Sequence, residues 1–227
     1  MTLYKRGSRG EAVKQIQKAL NLYPDGIFGP FTEEAVKEFQ KDNGLTVDGI
    51  VGPATLSKLL MDKVFTLKKS KRSITEIIIH CTATPEGRDY TVEQIRNDHV
   101  KGRGWSDIGY HYVIYRDGSI HNGRDVNIAG AHCTGHNTRS IGVAYVGGLE
   151  NNPNTPYNKL KAKDTRTEEQ KTALLALLLD LRKLYSKAKI LGHRDTSPDK
   201  NGNGIIEEWE WLKSCPSFNA QSEYRML

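Results

Sequence analysis

Two histidines, a cysteine and a lysine hold the chemistry within reach of this 227-residue chain. The stretch Ile190-Leu191-Gly192-His193 closes an apolar run with a histidine, and Lys213-Ser214-Cys215-Pro216-Ser217-Phe218 follows with a thiol beside a cation. Far upstream, Glu76-Ile77-Ile78-Ile79-His80-Cys81-Thr82-Ala83-Thr84 puts another histidine at the end of another apolar run. Zinc bound for catalysis takes three protein ligands, imidazole or thiolate among them, and leaves the fourth position to water. His80, His193 and Cys215 would supply such a set. Spacing alone does not establish it, since seven histidines allow many pairings.

The elements that must position these residues read as strands and helices in alternation. Ile77-Ile78-Ile79 predicts a buried central strand, because β-branched residues suit a sheet and an unbroken apolar run implies that both faces are covered. The capping box Thr91…Gln94 starts a helix ending near Gly102. Tyr110 to Tyr115 reads as a strand, Asp117-Gly118 as a turn and Ser119-Ile120-His121 as the returning strand of a hairpin. Ser140 to Val146 gives another strand. Thr167…Gln170 caps the longest helix, with Leu174, Leu177, Leu178, Leu181 and Leu184 on one face. Lys189-Ile190-Leu191 is a short strand leading to His193. The expected fold class is α/β, a mixed β-sheet flanked by helices, preceded by a small three-helix domain.

That first domain covers residues 1–61 and contains an echo, Asp25-Gly26-Ile27-Phe28-Gly29-Pro30 returning as Asp48-Gly49-Ile50-Val51-Gly52-Pro53. Asp-Gly supplies a turn, and proline's fixed φ suits the first position of the next helix. The first helix is expected to start at a capping box Ser8…Glu11 and to show Val13, Ile16, Gln17 and Leu20; the second carries Ala35, Val36 and Phe39, the third Leu56, Leu59 and Leu60. Of the net charge of +6, residues 1–61 carry +1, residues 62–73 carry +4 and the rest +1. The excess therefore sits in residues 62–73, read as a solvated basic linker, and not on a nucleic-acid-binding face. No segment approaches the ~20 apolar residues that span a bilayer, so no membrane insertion is expected. The start has no apolar h-region, so no secretory signal is expected. Three cysteines without close spacing argue against a disulfide framework. A monomer is expected.

Two resemblances sharpen these readings. Gly7-Ser8-Arg9-Gly10, Ala35-Val36-Lys37-Glu38-Phe39-Gln40 and the repeated Asp-Gly-Ile-x-Gly-Pro resemble the small peptidoglycan-binding domain of cell-wall hydrolases. From residue 74 onward, His80-Cys81-Thr82-Ala83-Thr84, Trp105 to Tyr112, Arg116-Asp117-Gly118, Gly130-Ala131-His132, Asn137…Ser140-Ile141-Gly142-Val143, Gly192-His193 and Lys213 to Phe218 occur in the order found in type-2 N-acetylmuramoyl-L-alanine amidases. The phage amidase-type lysozymes and the animal peptidoglycan recognition proteins are the nearest in pattern. This resemblance implies a catalytic domain over residues 74–227, zinc ligands at His80, His193 and Cys215, and Tyr110 and Lys213 as catalytic partners. It also implies a phage or prophage endolysin that hydrolyses the bond between N-acetylmuramic acid and L-alanine with a zinc-activated water, with bacterial peptidoglycan as its partner. It would be made in the host cytoplasm and released through a holin-type lesion. His132 and Asn137 match the family's site wall, as residues behind the ligands or in contact with substrate.

The remaining histidines, His99, His121 and His136, read as ordinary surface or hydrogen-bonded residues. Strand alternation turns Cys81 away from the zinc and, if Tyr110 faces the site, turns His111 toward the core. Between His193 and Lys213 the chain departs from the shorter phage relatives. Residues 199–210 match the calcium-loop template D-x-[DN]-x-[DN]-G-x₅-E, with ligands expected from Asp199, Asn201, Asn203, the Ile205 carbonyl, Glu210 and, through water, Glu207. A helix from Glu207 onward would then aim Lys213 and Cys215 at the zinc. The rival functions are a non-catalytic peptidoglycan sensor, disfavoured by the presence of Cys215, Tyr110 and Lys213, and a zinc endopeptidase. The second lacks its usual histidine pairs.

Overall fold

The computed structural model describes residues 3–20, 22–61 and 67–227; the side chains of Ser57, Leu60 and Met61, and linker residues 62–66, lie outside that description. Three helices, α1 (Glu11–Ala19), α2 (Pro30–Asp42) and α3 (Pro53–Met61), form the N-terminal unit. Its core is Val13, Ile16, Phe28, Val36, Val51, Leu56 and Leu59. Pro30 and Pro53 each open a helix, as the Gly-Pro pairs require.

The sequence echo is a structural repeat built on two buried glutamines. Gln17 Nε2 donates to Asp25 Oδ1 (2.7 Å), the Ile27 carbonyl (3.0 Å) and Thr32 Oγ1 (3.1 Å), and its Oε1 accepts the Gly26 N–H at 2.9 Å. Gln40 does the same with Asp48 (2.8 Å), Ile50 (3.0 Å), Thr55 (3.0 Å) and Gly49 (2.9 Å). Each glutamine satisfies the polar groups of one turn inside an apolar unit. Removing it strands several at once, so Gln40→Ala is expected to destabilise the N-terminal unit by about 2–3 kcal/mol. Hydrogen exchange of the N-terminal amides in the full chain would measure the loss, and unchanged protection there would count against this reading.

The capping box foreseen at Ser8 does not form. Helix α1 begins at Glu11 behind Gly10, whose φ of 115° no other residue adopts readily, and Ser8 Oγ instead accepts the Lys5 N–H. The bridge between Arg9 and Ile27 fixes the chain direction there, overriding the local signature. Thr91…Gln94 and Thr167…Gln170 do form complete boxes.

The larger unit is built from β1 (Glu76–Cys81), β2 (Thr84–Pro85), α4 (Val92–Asn97), β3 (Tyr112–Ile114), β4 (Ile120–Asn122), β5 (Ser140–Tyr145), β6 (Gly148–Leu149), α5 (Glu168–Leu184), β7 (Lys189–Gly192) and α6 (Ala220–Glu223). The main sheet has the order β4-β3-β5-β1-β7, and β2 pairs with β6 separately. Strands β1, β3, β5 and β7 are parallel and β4 pairs antiparallel with β3, so the sheet is mixed, with β1 covered on both edges. One sheet face, Ile77, Ile79, Cys81, Tyr112, Ile114, Ile141, Val143 and Tyr145, packs on Leu174, Leu177, Leu178 and Leu181 of α5. The opposite face carries Val113, packed with Ile95, Ile108 and Val146. Because side chains alternate, His80 leaves β1 on that second face while Cys81 joins the α5 core.

Part of the basic stretch is not solvated. Ser70 N–H donates to Tyr185 Oη (2.6 Å), and the half-buried Arg72 guanidinium donates to the Val126 (2.8 Å), Asn137 (3.0 Å) and Ser140 (3.2 Å) carbonyls. Ser70 and Arg72 are therefore fastened to the larger unit. Among the described residues no helix is long and apolar enough to cross a membrane.

Candidate metal centre and active site

Strands β1 and β7 run parallel in register as far as the pair Ile79 and Gly192. His80 and His193 are the next residues on each, so both leave the carboxyl ends of neighbouring strands, where open α/β sheets gather ligands. Their rings lie 4.7 Å apart. A 3-10 turn, His193–Thr196, ends the strand and is held by Gly192 N–H on Asp195 Oδ2 (2.7 Å) and Thr196 Oγ1 on the His193 carbonyl (2.7 Å).

Cys215 is brought in by bonds to both strands. Its carbonyl accepts the Arg194 N–H (2.8 Å), its sulfur accepts the Cys81 N–H (3.2 Å), and the Pro216 carbonyl accepts the Tyr145 hydroxyl (2.7 Å). Behind it, the buried Arg166, paired with Asp164 and Glu223, lies over the Phe218 ring at 3.2 Å. Nothing in the sequence pattern singled out Arg166, because its partners are scattered from Asp164 to Tyr224. Among the described residues, the only group of three or more His, Cys, Asp or Glu side chains close enough to hold an ion is His80, His193 and Cys215. Their ligand atoms lie within 4.8 Å of one another, with His80 Nδ1 3.8 Å from Cys215 Sγ.

The electrostatics suit a cation. Burial, reinforced by His132, His193 and Lys213, holds His80 well below the ordinary histidine range, and burial followed by Lys213 lowers His193 to about 4. Both are neutral lone-pair donors at neutral pH. Burial pushes the Cys215 thiol up. A buried thiol of this kind ionises when a divalent cation compensates it, and the Cys81 N–H directed at the sulfur then stabilises the thiolate. Two imidazoles and one amide-bonded thiol form a donor set that fits zinc.

The Tyr110 ring lies 5.2 Å from that of His80, and burial raises its phenol, so it stays protonated. Lys213 is exposed, and its charge is felt at His80, His193 and Cys215. His132 is buried with Nδ1 3.0 Å from His80 Nε2. Asn137 turns elsewhere: its Oδ1 accepts the His132 and Cys133 backbone N–H groups, both at 2.9 Å.

Alternation does not govern the pair Tyr110 and His111, since both precede β3. His111 lies on the His80 side of the sheet, its ring 5.7 Å from that of His132, fully buried, with Nδ1 accepting the Gly142 N–H at 2.9 Å. Burial lowers its pKa from 6.5 to about 4. The unfolded chain takes up this proton near pH 6.5, the folded chain only near pH 4, so stability is full above that window and falls as the pH drops through it. The expected loss from this group is on the order of 3 kcal/mol. Urea midpoints of metal-free protein from pH 7 to 4 would record it as one share of a fall that the other depressed histidines add to, and His111→Gln should make that fall shallower by this share.

His99 is hydrogen-bonded, as one of its two readings had it, and also lines a cavity. Its Nδ1 accepts the Gly109 N–H (3.0 Å), its ring lies 5.6 Å from Tyr110, and it lines a cavity of about 370 Å³ with Thr82, Arg88, Arg103, Tyr110 and Tyr157. A larger cavity, about 570 Å³, lies between Tyr4, Leu56 and α5, away from the histidines.

In the 199–210 segment, Asp199 accepts the Gly202 and Gly204 N–H groups (2.7 Å each), Asn201 that of Asn203 (3.0 Å) and Asn203 that of Ile205 (2.8 Å). The fully buried Glu210 accepts from Lys200 (2.6 Å) and Glu207 (2.8 Å). The helix expected from Glu207 is a single 3-10 turn, Glu208–Glu210. It stops there because Leu212 N–H is drawn to Ser197 Oγ (3.0 Å) and Arg194 stacks over the Trp211 ring at 4.2 Å.

Comparison with known proteins finds matches for both units. The family profile described as a putative peptidoglycan binding domain matches residues 9–59, and that described as N-acetylmuramoyl-L-alanine amidase matches residues 70–204, ending before Lys213 and Cys215. The endolysin of Enterobacteria phage K11 is 37% identical over 161 residues, covering 71% of this chain and 91% of that protein. The endolysin of Escherichia phage T7 is 35% identical over 151 residues, 66% of this chain and 85% of its own. Among solved structures, the N-acetylmuramoyl-L-alanine amidase LysC from Clostridium intestinale URNW aligns with a TM-score of 0.48 at 27% identity, over 70% of this chain and 90% of that one.

Proposed function

The chain belongs to the N-acetylmuramoyl-L-alanine amidase family, and we propose that it is a zinc-dependent endolysin whose metal is held by His80, His193 and Cys215. It hydrolyses the amide bond between N-acetylmuramic acid and L-alanine in peptidoglycan. The observation that supports the zinc reading is the convergence of three uncharged N, N and S donors within 4.8 Å at the ends of two parallel strands. Bound there, zinc would supply a Lewis acid that lowers the pKa of water to about 7 and polarises the lactyl carbonyl.

The protein's own groups do the rest. Lys213 stabilises the carbonyl oxygen as it gains negative charge. Tyr110, held as a phenol, donates a hydrogen bond that orients the attacking water or the tetrahedral oxygen. As the C–N bond breaks, the water oxygen remains in the lactyl carboxylate and a proton passes to the alanine amine. The cavity beside Tyr110, with Arg88 and Arg103 on its wall, would take the stem peptide and its carboxylates. The N-terminal unit keeps the enzyme on the wall, raising the local concentration of substrate. The enzyme acts as a monomer, reaching the wall through a holin-type lesion and binding no nucleic acid. Digestion of purified sacculi tests the reaction. New L-alanine amino termini with intact glycan strands are expected; new reducing ends or cut cross-bridges would refute it.

The calcium assignment to Asp199, Asn201, Asn203, Ile205 and Glu210 rests on the order of residues in that loop. At 100 times its Kd, calcium would stabilise the chain by about 2.7 kcal/mol. Melting of the full chain with and without calcium, beside Asp199→Ala, checks this; an unchanged transition in the parent protein rejects the ion.

A further inference from the structure

We propose that His132 is a positioning residue that fixes the tautomer of His80, with its own tautomer set by Ser140. The chain of bonds can be read in one direction only. Ser140 Oγ donates to the His136 carbonyl at 2.8 Å, and a carbonyl can only accept, so the single hydroxyl proton is committed there. The same oxygen lies 3.3 Å from His132 Nε2, toward which it can now only accept, and this places the His132 proton on Nε2. His132 Nδ1 is left as a lone pair, 3.0 Å from His80 Nε2, which must then carry the His80 proton. The remaining His80 nitrogen, Nδ1, keeps its lone pair toward Cys215 Sγ, 3.8 Å away. A backbone carbonyl thus determines, through a serine and a histidine, which nitrogen of His80 can bind a metal.

The His132 ring occupies room that two glycines leave for it. A Cβ on Gly130 would fall 2.3 Å from His132 Cδ2, and one on Gly142 would fall 2.5 Å from the same atom. Neither glycine has a left-handed φ, so backbone freedom does not explain them. Their role is the space they leave for the ring beside His80. The main-chain N–H of His132 is tied to Asn137 at 2.9 Å, which fixes the loop from the other side.

This inference rests on the zinc reading for its consequence, but the tautomer itself is measurable without metal. In ¹⁵N-labelled, metal-free protein the ring shifts of His80 should show Nε2 protonated and Nδ1 bare. His132→Phe removes the acceptor and should weaken zinc binding roughly 10- to 100-fold in competition with a chromophoric chelator. His132→Gln restores an acceptor oxygen and should recover most of that loss, which a purely structural role would not do. Should the phenylalanine variant fail to fold, Ser140→Ala leaves the ring in its cradle and frees only its tautomer. It should give mixed His80 and His132 tautomers and weaker zinc binding. A His80 proton on Nδ1 in the parent protein overturns the proposal, as does zinc binding in the phenylalanine or alanine variant equal to that of the parent. A parent protein that binds no zinc would refute the metal assignment, while the ring shifts still decide the tautomer.

Discussion

Cys215→Ser is expected to reduce amidase turnover by at least about 10³-fold, because the hydroxyl that replaces the thiol does not ionise as a ligand and the site loses its anionic donor. The substitution is nearly isosteric, and two of the three bonds that set the segment do not use the sulfur: Arg194 N–H on the Cys215 carbonyl and Tyr145 Oη on the Pro216 carbonyl; the third, Cys81 N–H on Sγ, can pass to the serine oxygen. The fold should therefore survive, with unchanged circular dichroism and an unchanged capacity to pull down with sacculi through the N-terminal unit. Turnover on purified sacculi and bound zinc per chain would fall together. A variant that keeps its turnover without zinc would show that Cys215 is not a ligand.

The second large effect is expected at Lys213. Lys213→Ala removes a cation whose field reaches His80, His193 and Cys215. An oxyanion donor of this kind contributes about 10²–10³ in kcat, and KM should change little because the charge it meets develops only during the reaction. Zinc content should be retained, which separates this variant from Cys215→Ser. Lys213→Arg tests the geometry further: partial activity is expected, since the charge remains but the point-like ammonium is replaced by a planar fork. A loss confined to KM would instead make Lys213 a binding residue.

Local signals proved readable where the chain's own neighbours satisfy them. Thr91 with Gln94 and Thr167 with Gln170 bond reciprocally across three residues, and both boxes form as written. The same kind of signature at Ser8 and Glu11 misleads, because Gly10 and the Arg9–Ile27 bridge turn the chain before the helix. The echo around Asp25 and Asp48 was legible, yet its cause was not. Gln17 and Gln40 lie eight residues upstream of the aspartates they bind, inside a helix face that looked merely amphipathic.

The site divides in a similar way. The apolar runs ending in His80 and His193 announced strand ends, but only the pairing of β1 with β7 brings them together. Alternation did not govern Tyr110 and His111 because both lie outside β3, and they come to the same side. His99 was read as a surface or hydrogen-bonded residue, and its bond to Gly109 agrees with that; its approach to Tyr110 was not legible because it depends on the π-helical turn Asp98–Gly102, which no residue pattern marked. Arg72 looked like one more solvated cation, and its carbonyl partners lie 54 to 68 residues further on.

The most direct test of the account is metal reconstitution. Purified protein is stripped with a chelator, and zinc is titrated back while bound metal and sacculus hydrolysis are followed together. Activity should rise in proportion to bound zinc and level off at one ion per chain at the His80, His193 and Cys215 site, with calcium alone restoring none of it. Full hydrolysis by metal-free protein, or recovery with calcium alone, would contradict it.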